Sequence, residues 1–117
     1  MPDTPLIDAT VFAELQDTAG PEFVVELVDT FGEEAPQILE ELRAAHREAA
    51  AERFRRAAHS LKSNSSTFGA TGLAEMARSL ELVGMPADPG PVDALAAELE
   101  ATVVALKQRA RAGAGGG

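Results

Sequence analysis

From Pro21 to about Ala50, apolar side chains return every three or four positions: Phe23, Leu27, Phe31, Ala35, Ile38, Leu42, Ala45 and Ala49. That recurrence fits a long helix with one buried stripe and does not fit a strand, whose apolar positions alternate. A stripe of this length can be buried only by packing along other helices, so it restricts the fold more than any other feature. Pro36 interrupts it, because proline lacks a donor and crowds the carbonyl of Gly32. The stripe keeps its phase across Pro36, so one kinked helix is expected. Two helices, with Pro36 in the first turn of the second, are the alternative.

Three further stretches carry the same period. Phe54, Ala58, Leu61, Ser65 and Phe68, with Ala57 at the margin, mark a helix over Ala51–Phe68. Gly69 suits a left-handed helix end, and Thr71 can then cap a helix running through Met85. Its inward positions are Leu73, Met76, Ala77, Leu80 and Val83, with Met76 and Met85 read as core filler. A stiff connection, Pro86-Ala87-Asp88-Pro89-Gly90-Pro91, leads to a last helix near Pro91 bearing Val92, Leu95, Leu99, Val103 and Leu106. Arg109 and Arg111 suit its C-terminal end. Upstream, Met1 to Leu6 reads as an extended lead-in. Asp8 can cap a short helix over Ile7–Asp17 carrying Val11, Phe12 and Leu15, and Gly20-Pro21 ends it. There is no strand alternation and no internal repeat. The expectation is an all-α fold: an antiparallel four-helix up-down bundle with the short N-terminal helix across one end. Residues 1–112 form one domain, and residues 113–117 are expected to be a disordered Gly-rich tail.

Composition narrows function by exclusion. Nineteen acidic against ten basic residues give a net charge of −9, and aromatics are 4% with no Trp or Tyr. A nucleic-acid backbone would be repelled, and no stacking platform for single strands exists. The absence of Cys removes disulfides, thiol catalysis and thiolate metal sites. No signal peptide or membrane span is legible, so a cytoplasmic protein without membrane partners is expected.

Against this acidic background, Ala57 to Gly69 stands out. At about 100° per residue, His59 projects roughly 150° from the centre of the apolar stripe and should stand in water. Arg55 and Arg56 lie one turn before it, Lys62 and Ser63 one turn after, and Ser66 two turns along. An exposed imidazole is most often a solvated polar residue. Here the setting adds chemistry: a neutral imidazole nitrogen is nucleophilic near neutral pH, and flanking cations and hydroxyls can balance a phosphoryl group. His46 lacks such flanking residues and is assigned no role.

Ala58-His59-Ser60-Leu61-Lys62, then Gly69, Leu73 and Leu80-Glu81, resembles the histidine phosphotransfer (HPt) domains of multistep phosphorelays. The resemblance is densest from Phe54 to Met85. It implies that His59 is the phosphoacceptor, that Lys62 lies near the phosphoryl group, and that Gly69 marks the turn of a helical hairpin. It also implies a short N-terminal helix lidding the bundle. The family often has Gly four residues after the His, where this chain has Ser63; a small side chain still leaves room beside the imidazole while narrowing the approach. The implied partners are response-regulator receiver domains and a hybrid sensor histidine kinase, with the chain itself a monomer.

The resulting expectation is a phosphocarrier and not a kinase. It would take a phosphoryl group on His59 from a receiver aspartyl phosphate and pass it to another receiver. Gly69-Ala70-Thr71-Gly72 lacks the Lys and strand context of a phosphate-cradling loop. No cofactor is expected, and Mg²⁺ would belong to the receiver. Two rivals remain. One is a helical adaptor with a merely exposed His. The other is a hydrolase pairing His59 with Ser60 or Ser63, weakened because Ser60 points about 100° away and no carboxylate is expected where it would orient the imidazole.

Overall fold

The computed structural model describes residues 6–115, so the expected lead-in over residues 1–5 lies outside the described residues, as do 116 and 117. Five helices and no strand are found among the described residues: α1 (Ala9–Ala19), α2 (Pro21–Arg47), α3 (Ala51–Thr67), α4 (Thr71–Val83) and α5 (Gly90–Gly115). α2 packs along both α3 and α5, and α3 packs along α4. Smaller contacts join α1 to α2 and α4 to α5. A common core therefore forms from the inward stripes, with Phe12, Val28, Phe31, Leu42, Phe54, Leu61, Leu73, Leu95 and Leu106 all within it.

Pro36 does not break α2, which runs unbroken through it. The carbonyl of Gly32 loses its helical donor to this proline. A Cβ at Gly32 would lie 3.2 Å from Lys107 Cε and 3.3 Å from Val103 Cγ1, so α5 crosses α2 closely at this point.

Several stripe positions differ from expectation. In the first turns of α2 the buried residues are Val24 and Val28, while Phe23 is half exposed and Leu27 only partly buried. Adjacent apolar pairs, Phe23-Val24 and Leu27-Val28, leave the phase ambiguous by one residue, and the core settles it by burying Val24 and Val28. α2 also stops at Arg47, short of Ala49. That alanine is exposed in the left-handed conformation (φ 55°), and Ala50 N donates to Ala45 O at 2.9 Å to close the helix. α4 ends at Val83 instead of Met85, because Gly84 adopts φ 96°; Val83 is left exposed and not inward. Ala70, not Thr71, is the residue preceding α4, and it makes no side-chain cap. In α5 Thr102 is buried along with Leu95, Leu99 and Leu106, while Val103 is only partly covered.

The tail expected to begin at residue 113 is helical as far as Gly115. Ala110, Ala112 and Ala114 are strong helix formers, and Ala110 is buried. The helix is also supported from α1, since a Cβ at Gly113 would collide with the Gln16 side chain.

The turn between α3 and α4 positions everything that follows. Gly69 takes φ 74°, and Ala70 N donates to Ser65 O at 3.0 Å. Glycine is needed there for two reasons. The left-handed backbone disfavours other residues, and a Cβ would lie 2.9 Å from Asp8 O and 3.0 Å from Val11 Cβ. Asp8 N in turn donates to Gly69 O at 2.7 Å, and the Asp8 carboxylate caps α1 through the Thr10 and Val11 N–H groups. The N-terminus of α1 is thus seated on the α3–α4 turn.

Candidate functional site

α3 buries Phe54, Ala57, Ala58, Leu61 and Ser65, so the helix is fixed in rotation about its own axis. His59 consequently stands outward, with 56% of its side chain exposed. α4 folds back along α3 about Ala70, so residues equally distant from the turn become neighbours. His59 and Glu81 are 22 positions apart and centred on Ala70. His59 Nδ1 lies 2.7 Å from Glu81 Oε2.

The other carboxylate oxygen is also engaged: Lys62 Nζ lies 3.0 Å from Glu81 Oε1. Glu81 is only 15% exposed, Lys62 29%. Lys62 first, then His59, hold the Glu81 carboxyl below its ordinary value, against burial, which pushes it up. An ionised carboxylate only accepts hydrogen bonds, so Nδ1 carries the proton and donates it. The Nε2 lone pair is then directed to solvent. A nucleophilic nitrogen is produced by one bond on the opposite side of the ring.

The remaining expected site residues separate into groups. Ser63 and Ser66 are exposed on the outer face of α3; Thr67 Oγ1 donates to the Ser63 carbonyl at 3.2 Å. Arg55 is paired with Glu52 one turn back. Arg56 lines a groove of about 410 Å³ toward α2, with Glu41, Arg53, Ala57 and Ser60. Neither arginine is bonded to the His59–Glu81 pair. Gly69 sits at the α3–α4 turn and also admits α1.

Glu81 is the site residue that the sequence pattern does not single out. It figures there only as half of the Leu80-Glu81 pair, and no carboxylate is expected near the imidazole. The structure corrects that expectation. The available signal is its equal distance from the Gly69-Ala70 turn, together with a place beside the inward stripe of α4. His46 is also more than a solvated residue: its Nε2 lies 3.0 Å from the Pro86 carbonyl, and its ring is 6.2 Å from that of Phe54. Among the described residues no group of three or more His, Asp or Glu side chains could hold a metal ion. No helix among them is long and apolar enough to cross a membrane.

Residues 26–105 match the family model of the Hpt domain. The crystal structure of histidine-containing phosphotransfer protein B (HptB) from Pseudomonas aeruginosa PAO1 superposes with a TM-score of 0.84 at 30% identity, covering 93% of this chain and 97% of that one. No match was found among curated proteins. The chain belongs to the Hpt domain family, whose members are phosphocarriers in phosphorelays with receiver domains as partners.

Proposed function

We propose that this chain carries a phosphoryl group on His59 Nε2, taking it from a receiver-domain aspartyl phosphate and passing it to the aspartate of another receiver. The observation that carries the reading is the bond from Nδ1 to Glu81 Oε2, which leaves an exposed Nε2 lone pair. In the forward step the lone pair forms the N–P bond while the P–O bond to the aspartyl carboxylate breaks. Nδ1 keeps its proton, and the positive charge that develops on the ring faces the Glu81 carboxylate. The reverse step returns the phosphoryl group to a carboxylate and restores the lone pair. Such transfer needs alignment and charge balance more than covalent assistance, so one well-held side chain suffices.

The five helices are read as an antiparallel up-down bundle of α2 to α5, with α1 as a lid over the α3–α4 turn. The chain acts as a monomer in the cytoplasm, without a cofactor of its own; Mg²⁺ resides on the receiver. A hybrid sensor kinase supplies the relay. The hydrolase reading loses one objection, since Glu81 does orient the imidazole. It still lacks its nucleophile: among the described residues no hydrogen bond joins the Ser60 or Ser63 hydroxyl to His59. The adaptor reading predicts no covalent chemistry. Incubation with phosphorylated receiver domains separates the two. The carrier takes up label that is lost in acid and kept in base, as a phosphorus–nitrogen bond requires. A chain that takes no label from any receiver fits only the adaptor.

A further inference from the structure

α5 is apolar on two sides. Leu95, Leu99 and Leu106 enter the core, while Ala94, Ala97, Ala101 and Val104 are exposed. Where α5 runs beside α2, this outer surface dips into a groove of about 310 Å³, with Pro36 and Leu39 on one wall and Ala96 and Val103 on the other. The groove is open because Gly32 has no side chain: a Cβ there would press on Val103 Cγ1 at 3.3 Å. A second hollow, over Ala97, Ala101 and Gln108, shares Glu100 and Val104 with it. Together they make one surface from Ala96 to Gln108, about 18 Å along α5, the length of a three-turn helix.

Charge indicates what covers this surface. From Pro21 to Leu42, α2 carries seven carboxylates and no cation. Glu33 and Glu40, one turn before and one turn after Pro36, are exposed beside the groove, and Glu100 lines it from α5. Among the described residues none of these three is ion-paired. The Gly32 carbonyl, deprived of its helical donor by Pro36, adds an acceptor at the same edge. Two cations lie one turn beyond Leu39 and Val103. Arg43 is held by Asp93 at 2.9 Å, and the Lys107 stem passes Gly32.

We propose that this surface seats a basic amphipathic helix of a partner protein. Its apolar side chains fill the groove, and its Lys or Arg residues meet Glu33, Glu40 and Glu100. An extended segment fits poorly, because apolar walls offer few partners for its backbone N–H and C=O groups, whereas a helix satisfies its own. A second copy of this chain fits poorly too, since it brings the same carboxylates and a net charge of −9. The surface is also separate from the imidazole. α2 to α5 touch in a ring: α2 with α3, α3 with α4, α4 with α5, and α5 with α2. His59 and Glu81 join α3 to α4, so the groove lies on the opposite edge of the ring. Occupation of one leaves the other open.

The test is a titration of the ¹⁵N-labelled full chain, followed by its amide shifts, with three synthetic peptides of roughly 14 residues. One has Leu on one helical face and Lys on the other. The second scrambles that composition, and the third has Glu in place of Lys. Only the first should bind, shifting Gly32, Leu39, Val103 and Val104 while residues around His59 stay unmoved. Val104→Asp adds negative charge but removes an apolar contact, so binding should weaken about tenfold, as for an anchor residue. Val104→Ser, which adds no charge, should weaken it in the same direction. Glu100→Lys should weaken it about three- to tenfold at low salt, with the gap narrowing as salt rises. Both positions are exposed, so melts should show every variant folded. Val104→Asp binding as tightly as wild type would reduce the association to charge alone and overturn the groove. Absence of binding by the first peptide overturns it, as does equal binding of the scrambled or acidic peptide, or shifts centred on His59. Groove shifts on concentrating the chain without peptide would make a second copy the occupant and overturn the proposal.

Discussion

The two histidines of this chain are held by one short hydrogen bond each, and the difference lies in which nitrogen is used. His59 engages Nδ1 with a carboxylate and leaves Nε2 in water. His46 engages Nε2 with the Pro86 carbonyl, half-buried beside Phe54. A carbonyl accepts, so His46 Nε2 carries the proton and has no lone pair to offer. Its bond ties the C-terminal end of α2 to the connection after α4, a structural task. The same side chain thus keeps a ring nitrogen free in water or spends it as a fastener, according to its partner and the ring edge left open. Exposure alone would not make this distinction.

The largest test of that contrast exchanges each histidine for glutamine. His59→Gln should abolish labelling by a phosphorylated receiver without loss of fold, because the side chain is exposed. His46→Gln should be labelled as wild type. Equal labelling of the His59→Gln protein would remove the contrast altogether. Next comes access to the free nitrogen. Ser63 lies one turn beyond His59 on the same face of α3, so Ser63→Phe should block docking over Nε2 while the melting temperature stays near wild type. Transfer at the wild-type rate would mean that the receiver approaches from elsewhere. Third, Glu81→Gln keeps the shape but not the charge, and an amide can donate to Nδ1 as readily as it accepts. Transfer should fall by about ten- to a hundredfold, by analogy with losing the carboxylate that orients a metal-bound histidine. A Glu81→Gln protein with unchanged transfer would show that His59 needs no help in presenting Nε2.

Much of this architecture is legible in the amino-acid sequence, and the exceptions have physical causes. Helix existence follows from the three- and four-residue spacing. The rotation of α3 follows from Phe54, Ala58, Leu61, Ser65 and Phe68, all of which are buried. Phase is lost where two apolar residues are adjacent, as at Phe23-Val24, since either can face inward until a neighbouring helix chooses. Helix ends are lost where backbone closure overrules pattern: Ala49 continues the apolar period yet sits in a left-handed turn. The exposed histidine can be found because its signal is local, contained within one helix. Glu81 cannot be found by the same reading, because its role depends on where the hairpin turns and how α4 is rotated against α3. Sites built within one element can be read from periodicity, whereas sites shared across a turn also require the register between elements.

The smallest effect expected concerns stability, and it too separates the histidines. Lys62 and His59 lower the Glu81 carboxyl from its ordinary value of 4.5. The folded protein therefore binds that proton less readily than the unfolded chain. The stabilisation is present above the ordinary value and is lost as pH falls through the lowered one. His46 rests on a neutral carbonyl and has no such carboxylate partner. Melts of wild type and Glu81→Gln should accordingly differ at neutral pH, with wild type the more stable. The gap should close only when both are melted below the lowered value of the folded protein, where Glu81 is itself protonated. The same pair of melts for His46→Gln should show a gap that does not follow the titration of Glu81. If the Glu81→Gln gap is as wide in acid as at neutrality, the carboxylate's charge is not what holds the His59–Glu81–Lys62 group together. The contact would then be one of shape alone.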